Sequence, residues 1–434
     1  MPASESPDKA LEDGRQQSDA SSNSTKNAPI LTDAPDGGLE AWLVAAGAAF
    51  VFFSALGFSN SFGVFEEYYL THQLRGDSPD KVAWIGSLSV FLQFASGAIG
   101  GPLFDRYGAW ASLRNRVIRP GAVLYVFSIM MTSLCKEYWQ LMLSQGVLMG
   151  VAMGLIQFPS MAAVTQYFDK KRAAALGIAI SGSSIGGVVM PIAFSKMLNS
   201  TNLGFGWSVR IMGFVMIPLL SFSCVTVKAR LPPRKSQFFI PSVFKDARYC
   251  LIVAALFFMF VGMFSPLFYI PTYAVSRGVD ATLASYFLAI LNAASTFGRI
   301  IPGVLADKFG RLNAFTIGGI VTAVVIFCFN EPTSSAGLVV YSLAVGFSSG
   351  TIISGASAAL VLCIKNAQES GAYMGMGMGI GSLAALMGPP VNGALIERYG
   401  FAPMSYFSGA MCLVGGFLGI AAKAATAEGI FGRT

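Results

Sequence analysis

"GGPLFDRYGA", Gly100 to Ala109, and "PGVLADKFGR", Pro302 to Arg311, are the two stretches that decide the fold. Each ends a long apolar run with an acid and a base side by side, Asp105 with Arg106 and Asp307 with Lys308. In each, one glycine stands four residues before the acid (Gly101, Gly303) and another three residues after it (Gly108, Gly310). Arg311 closes the second copy. The copies lie 303 − 101 = 202 residues apart in a chain of 434. A charged knot written twice at that distance points to a chain built from two like halves.

Composition says what kind of halves. Hydrophobic residues make up 54% of the chain and charged residues 12%, with a mean hydropathy of +0.61. Soluble domains carry about 25% charged residues, so this apolar surplus needs another solvent. A helix crosses a bilayer in about 20 residues, and twelve apolar runs approach or exceed that length. They fall near 42–65, 82–103, 118–135, 140–164, 172–195, 207–227, 249–273, 281–304, 312–329, 335–362, 370–396 and 402–423. The expected fold is therefore all-α and polytopic, with twelve transmembrane helices in two six-helix pseudo-repeats. Residues 35–227 form the first half, 249–423 the second, and a basic connector, 228–248, joins them.

The net charge of +7 does not indicate nucleic acid, because the bases sit in short clusters between apolar runs. With the N-terminus inside, 21 of the 29 Lys and Arg fall on the cytoplasmic side, seven on the other, and Arg299 within a span. That asymmetry places both termini in the cytoplasm. Both knots then lie on the cytoplasmic side, between helices 2 and 3 and between helices 8 and 9. Residues 1–34 are Ser-rich, acidic and too poor in apolar residues to fold. They lack a signal-peptide apolar core, so the first span is expected to act as its own insertion signal. Residues 424–434 form a short tail. The six cysteines are scattered, with no metal spacing; no metal or cofactor is expected.

At this point the chain resembles the major facilitator superfamily, whose G-x-x-x-D-[RK]-x-G-[RK] loop is similar to "GPLFDRYG" and "GVLADKFGR". "PDGGLEAW" (Pro35–Trp42) resembles the monocarboxylate-porter signature before helix 1, and "YFDKKRAAALGIAISGSSIGG" (Tyr167–Gly187) its signature between helices 4 and 5. The stretch from Asn292 into "GRIIPGVLADKFGRLN" is similar to fungal members, which include importers and efflux pumps of biosynthetic clusters. The resemblance implies alternating access of a small anionic or amphipathic substrate across the plasma membrane, or the vacuolar membrane, by a monomer that is not an enzyme. A riboflavin or nutrient importer, or a non-transporting sensor, are the alternatives.

Within that frame the knots are conformational-switch candidates: Gly101, Asp105, Arg106 and Gly108 in the first, Gly303, Asp307, Lys308, Gly310 and Arg311 in the second. Their glycines suit a sharp turn, and an acid there can cap a helix N-terminus and pair with a base. Arg299, the lone charge inside a span, is the substrate-binding candidate. The resemblance implies that it grips a carboxylate, and a guanidinium does so with two parallel hydrogen bonds. Asn60, Gln157, Tyr269, Asn292 and Ser348 are further candidates to line the cavity. Two positions depart from the acid-coupled animal members: Ser295 stands where they have an aspartate, and Asn60 where they have a lysine. Proton coupling of their kind is therefore not expected. One region breaks the symmetry. "AWASLRNRVIRPGAVLY" sets Arg114, Arg116 and Arg119 where helix 3 should begin. That shortens helix 3 to about Pro120–Cys135 and leaves either a long basic loop or an insertion.

Overall fold

Apolar runs become helices in a bilayer because every backbone polar group must be satisfied inside its own segment. In the computed structural model this holds for all twelve. The structure describes residues 34–107, 117–199, 201–231, 240–364, 367–426, 429 and 432. Eleven helices are long and apolar enough to span: α1 (Gly38–Thr71), α2 (Lys81–Arg106), α4 (Tyr138–Tyr167), α5 (Arg172–Leu198), α6 (Gly204–Thr226), α7 (Ala247–Ser276), α8 (Tyr286–Phe309), α9 (Arg311–Asn330), α10 (Ser335–Leu362), α11 (Ser370–Tyr399) and α12 (Phe401–Ala424). The twelfth, α3 (Ile118–Thr132), is short, as expected, but it begins two residues before Pro120, takes Arg119 into its first turn and ends at Thr132 rather than Cys135. Residues 1–33, Gly108, the basic stretch from Ala109 to Arg116, 232–239 of the connector and part of the expected tail (427, 428, 430, 431, 433 and 434) lie outside the described residues.

Small residues set the packing, since lipid provides no hydrophobic force to press helices together. A methyl group added to Gly182 would lie 2.1 Å from the carbonyl oxygen of Ala49, and one on Gly57 2.7 Å from the Gly186 Cα. Backbone therefore touches backbone where α1 crosses α5. Some buried polar groups are paired between helices. Asn392 on α11 donates to Ser265 on α7 (2.7 Å) and accepts from Ser408 on α12 (2.9 Å). At the head of α7, Asp246 accepts from the Arg248 backbone and guanidinium (2.9 Å each), and this pairing holds its carboxyl below the usual range.

The knots differ from their expected form. Neither Gly101 nor Gly303 makes a turn; both are helical, as are Asp105 and Asp307. A spacing of four residues is one turn of helix, so glycine and acid lie on one face. Of the knot glycines described, only Gly310 turns the chain, with φ of +105° between α8 and α9. Helix α8 consequently runs to Phe309 and not to 304. Arg299 thus lies ten residues, about 15 Å, from that end of the helix.

Candidate functional site

The glycine of each knot lets α2 or α8 approach another helix closely, and the acid one turn on caps that helix. A methyl group on Gly101 would lie 2.0 Å from the carbonyl oxygen of Gly371, and one on Gly303 2.8 Å from that of Ala173. Asp105 accepts from the backbone N–H groups of Gly371 (3.1 Å) and Ala372 (2.7 Å) in the first turn of α11. Asp307 accepts from those of Ala173 (3.0 Å) and Ala174 (2.8 Å) in the first turn of α5. In both cases the donors are the second and third residues of the capped helix. A carboxylate there meets unpaired N–H groups and the positive end of the helix dipole. The two contacts tie α2 to α11 and α8 to α5, the main pairings between the first six helices and the last six.

The copies diverge around these shared bonds. Asp307 also pairs with Arg311 (3.1 Å), whose guanidinium reaches the carbonyl of Asp169. The bases next to the acids, Arg106 and Lys308, are exposed. Asp36, from the stretch before α1, joins the second knot. Its carboxylate accepts from the N–H groups of Asp169 (2.6 Å) and Lys171 (3.3 Å), while its own N–H donates to Tyr167 O (3.1 Å). Asn at 105 or 307 would keep one acceptor oxygen and turn its NH₂ toward the second backbone N–H. Loss of such a cap costs about 1–2 kcal/mol. Asp105→Asn and Asp307→Asn should each shift the closed-to-open ratio of this end by about 5- to 30-fold. Being remote from each other, their effects should multiply. Distances between spin labels at Lys170→Cys and Lys245→Cys, two exposed sites near this end, would measure the shift; unchanged distances in both variants would refute the switch.

Above the knots, α5 and α8 continue side by side through a polar seam. On α5, Ala173, Gly177, Ile180, Ser184 and Gly187 recur at intervals of three and four, one face of a helix. A methyl group on Gly177 would lie 2.4 Å from Arg299 O. One on Gly187 would lie 2.5 Å from Asn60 Nδ2 and 2.9 Å from Asn292 Oδ1. Asn60 reaches this point because α1 breaks after Ser59. Arg299 lies about 10 Å from Asn292 along α8 and is only 5% exposed. Its Nη1 donates to Ile180 O (2.9 Å) and to Ser183 Oγ, while its Nε has no partner. Asp105 and Arg299 are the only charged side chains buried among the described residues, and no described carboxylate lies within 4.0 Å of Arg299.

Asn60 and Asn292 thus meet at Gly187, and Arg299 lies on the same α5–α8 seam about 10 Å away. Gln157 lies one step away: it accepts from Gln93 Nε2 (2.7 Å), and Gln93 accepts from Ser59 (2.8 Å), the neighbour of Asn60. Tyr269 and Ser348 do not join it. Tyr269 donates to Pro389 O (2.7 Å) and Ser348 to Val345 O in its own helix (3.3 Å). Ser183, which sequence reasoning passed over as one of the packing serines of "SGSSIGG", is a direct partner of Arg299.

Comparison with known proteins agrees with this architecture. The family profile of the Major Facilitator Superfamily matches residues 47–329 and 294–428. The aspyridones efflux protein apdF of Emericella nidulans is 48% identical over 397 residues, covering 91% of this chain and 80% of that one. The agnestins efflux protein AgnL12 of Paecilomyces divaricatus is 39% identical over 378 residues, covering 86% and 85%. In fold, the chain matches the crystal structure of the human organic anion transporter MFSD10 with a TM-score of 0.70 at 15% identity, over 88% of this chain and 100% of that one. FucP in its outward conformation matches with a TM-score of 0.66 at 16% identity, over 89% and 99%. On the profile match and these two fungal relatives, the chain belongs to the Major Facilitator Superfamily of membrane transporters.

Proposed function

We propose that the protein exports a small organic anion by alternating access between two six-helix halves, 35–227 and 249–423, and that Arg299 holds the acid group of the cargo. The observation that carries this reading is a buried guanidinium, between helices of opposite halves, with no acid beside it and an Nε that donates to nothing. A charge inside the bilayer span is costly and marks a transport pathway. A carboxylate docked on the Nε side would satisfy it with parallel bonds. Asn60 and Asn292 supply amides further along the seam.

The positive-inside count puts the knots at the cytoplasmic face, so the described state, closed at the knots, is outward-facing. Export is favoured over import by the names of the fungal relatives, two of which are efflux proteins. The plasma membrane is the site such a role requires. The cargo class is an acidic secondary metabolite, in keeping with the monocarboxylate-porter signatures at Pro35–Trp42 and Tyr167–Gly187. Proteoliposomes loaded in turn with matched carboxylic acids and their neutral amides provide the test. The acids should leave at least about tenfold faster than the amides, whereas equal rates would defeat the anion reading.

A further inference from the structure

Helices α2 and α4 cross closely beside the α1 break. A methyl group on Gly150 would lie 2.6 Å from Ser89 O, and one on Gly154 would meet Ser96 Oγ and Gln93 O. Gly150, Gly154 and Gln157 recur at intervals of four and three, as do Ser89, Gln93 and Ser96, so each set shares one helix face. The two buried glutamines therefore meet, and Ser59 of α1 completes a relay of three. Ser59 Oγ donates to Gln93 Oε1 (2.8 Å), and Gln93 Nε2 donates to Gln157 Oε1 (2.7 Å). A hydroxyl has one proton to give, and an amide has one donor end and one acceptor end. The order of the relay thus fixes what its last member presents. Gln157 gives its oxygen to Gln93, and its NH₂ bonds no described residue. Unlike Arg299 Nε, that NH₂ is not sealed away.

We propose that Ser59 and Gln93 are positioning residues that hold the Gln157 amide with its NH₂ toward the cargo, where it binds a carbonyl oxygen remote from the acid group. The inference rests on the cargo occupying the polar line from Arg299 through Asn292 and Asn60 to Ser59. Arg299 and Gln157 then read two different groups, one charged and one neutral, from opposite halves of the protein. Ser59 and Gln93 touch no cargo; they decide which end of the terminal amide is free. An amide left to rotate would offer its oxygen as readily as its NH₂, and would not tell a carbonyl from a hydroxyl. Held by Gln93, it accepts a ketone, ester or amide oxygen. An apolar group of the same shape leaves the donor buried and unpaired, which is costlier than a hydrogen bond never made.

Efflux of ortho, meta and para acetylbenzoates from proteoliposomes, each against its isopropylbenzoate isostere, reads the relay as a ratio within one protein sample. In the unaltered protein at least one acetyl isomer should leave about tenfold faster than its partner. Gln157→Leu and Gln93→Leu should both level that ratio. Ser59→Ala should lower it, and Ser59→Thr, which keeps the hydroxyl, should preserve it. A relay that merely packs α2 on α4 would slow both members of a pair alike and leave the ratio standing. The proposal is overturned if no acetyl isomer is favoured, if the preference survives in Gln93→Leu, or if Ser59→Thr behaves as Ser59→Ala does. Failure of the anion reading shows separately, as equal rates for acids and their amides. The acetyl preference is then read on acetylbenzamides against isopropylbenzamides.

Discussion

Gly101→Val should abolish transport. At this position the first carbon of any side chain would come within 2.0 Å of the Gly371 carbonyl oxygen, and the reciprocal methyl on Gly371 within 2.4 Å of Gly101 O. Both obstacles are backbone, so no rotamer change relieves them. The helices must separate, and Asp105, one turn along the same face, then loses its donors on Gly371 and Ala372. A carrier that cannot close one end cannot complete its cycle. Flux in proteoliposomes should fall to background while the protein still inserts and remains monodisperse, because the contact lies between α2 and α11, not within one half. Gly63→Val is the matched control: nothing lies within 4 Å of the added carbon, and flux should be unchanged. Transport by Gly101→Val at even a third of the wild-type rate would show that the α2–α11 contact is not part of the cycle.

The second large effect concerns Arg299. If Arg299 holds the cargo's acid group as proposed, alanine there removes two charge-assisted hydrogen bonds, each of about 1.5–3 kcal/mol. Transport efficiency for an acidic cargo should fall at least about a hundredfold. Lysine keeps the charge and loses the planar fork, so Arg299→Lys should fall between, nearer a tenfold loss. Efficiency for a neutral cargo should change far less in either variant. If Arg299→Ala carried acids at the wild-type rate, the anion site would have to be elsewhere.

Helix boundaries were legible because the signal is local. Apolar runs are interrupted by bases and turns, and α10 occupies Ser335–Leu362, its expected range. The knots were legible as a repeat but not as helices. Glycine and proline punctuate loops in water, whereas in a bilayer no solvent competes for the backbone, and the helix continues through Gly101 and Pro302. Their partners were hidden by distance along the chain: Asp105 meets Gly371, 266 residues on. Arg299 stood out because a lone charge in an apolar run is unusual. Ser183 did not, because serines in such runs serve packing as often as binding. The threefold and fourfold spacing from Ala173 to Gly187 was the available clue that this face of α5 meets something. Tyr269 and Ser348 show the opposite case. A polar side chain in a span can be satisfied by a carbonyl of its own or a neighbouring helix, and polarity alone then says nothing about cargo.

Asp36 has a practical consequence for anyone handling the protein. It is the one non-glycine residue with positive φ among the described residues, at +52°. It also grips the 167–171 loop from which α5 starts. Mechanical load applied just ahead of Pro35 would therefore be delivered to the start of α5, whose Ala173 and Ala174 bond Asp307. A fluorescent protein or affinity tag joined close upstream of Asp36 should slow turnover, and one attached after Ala424 should not.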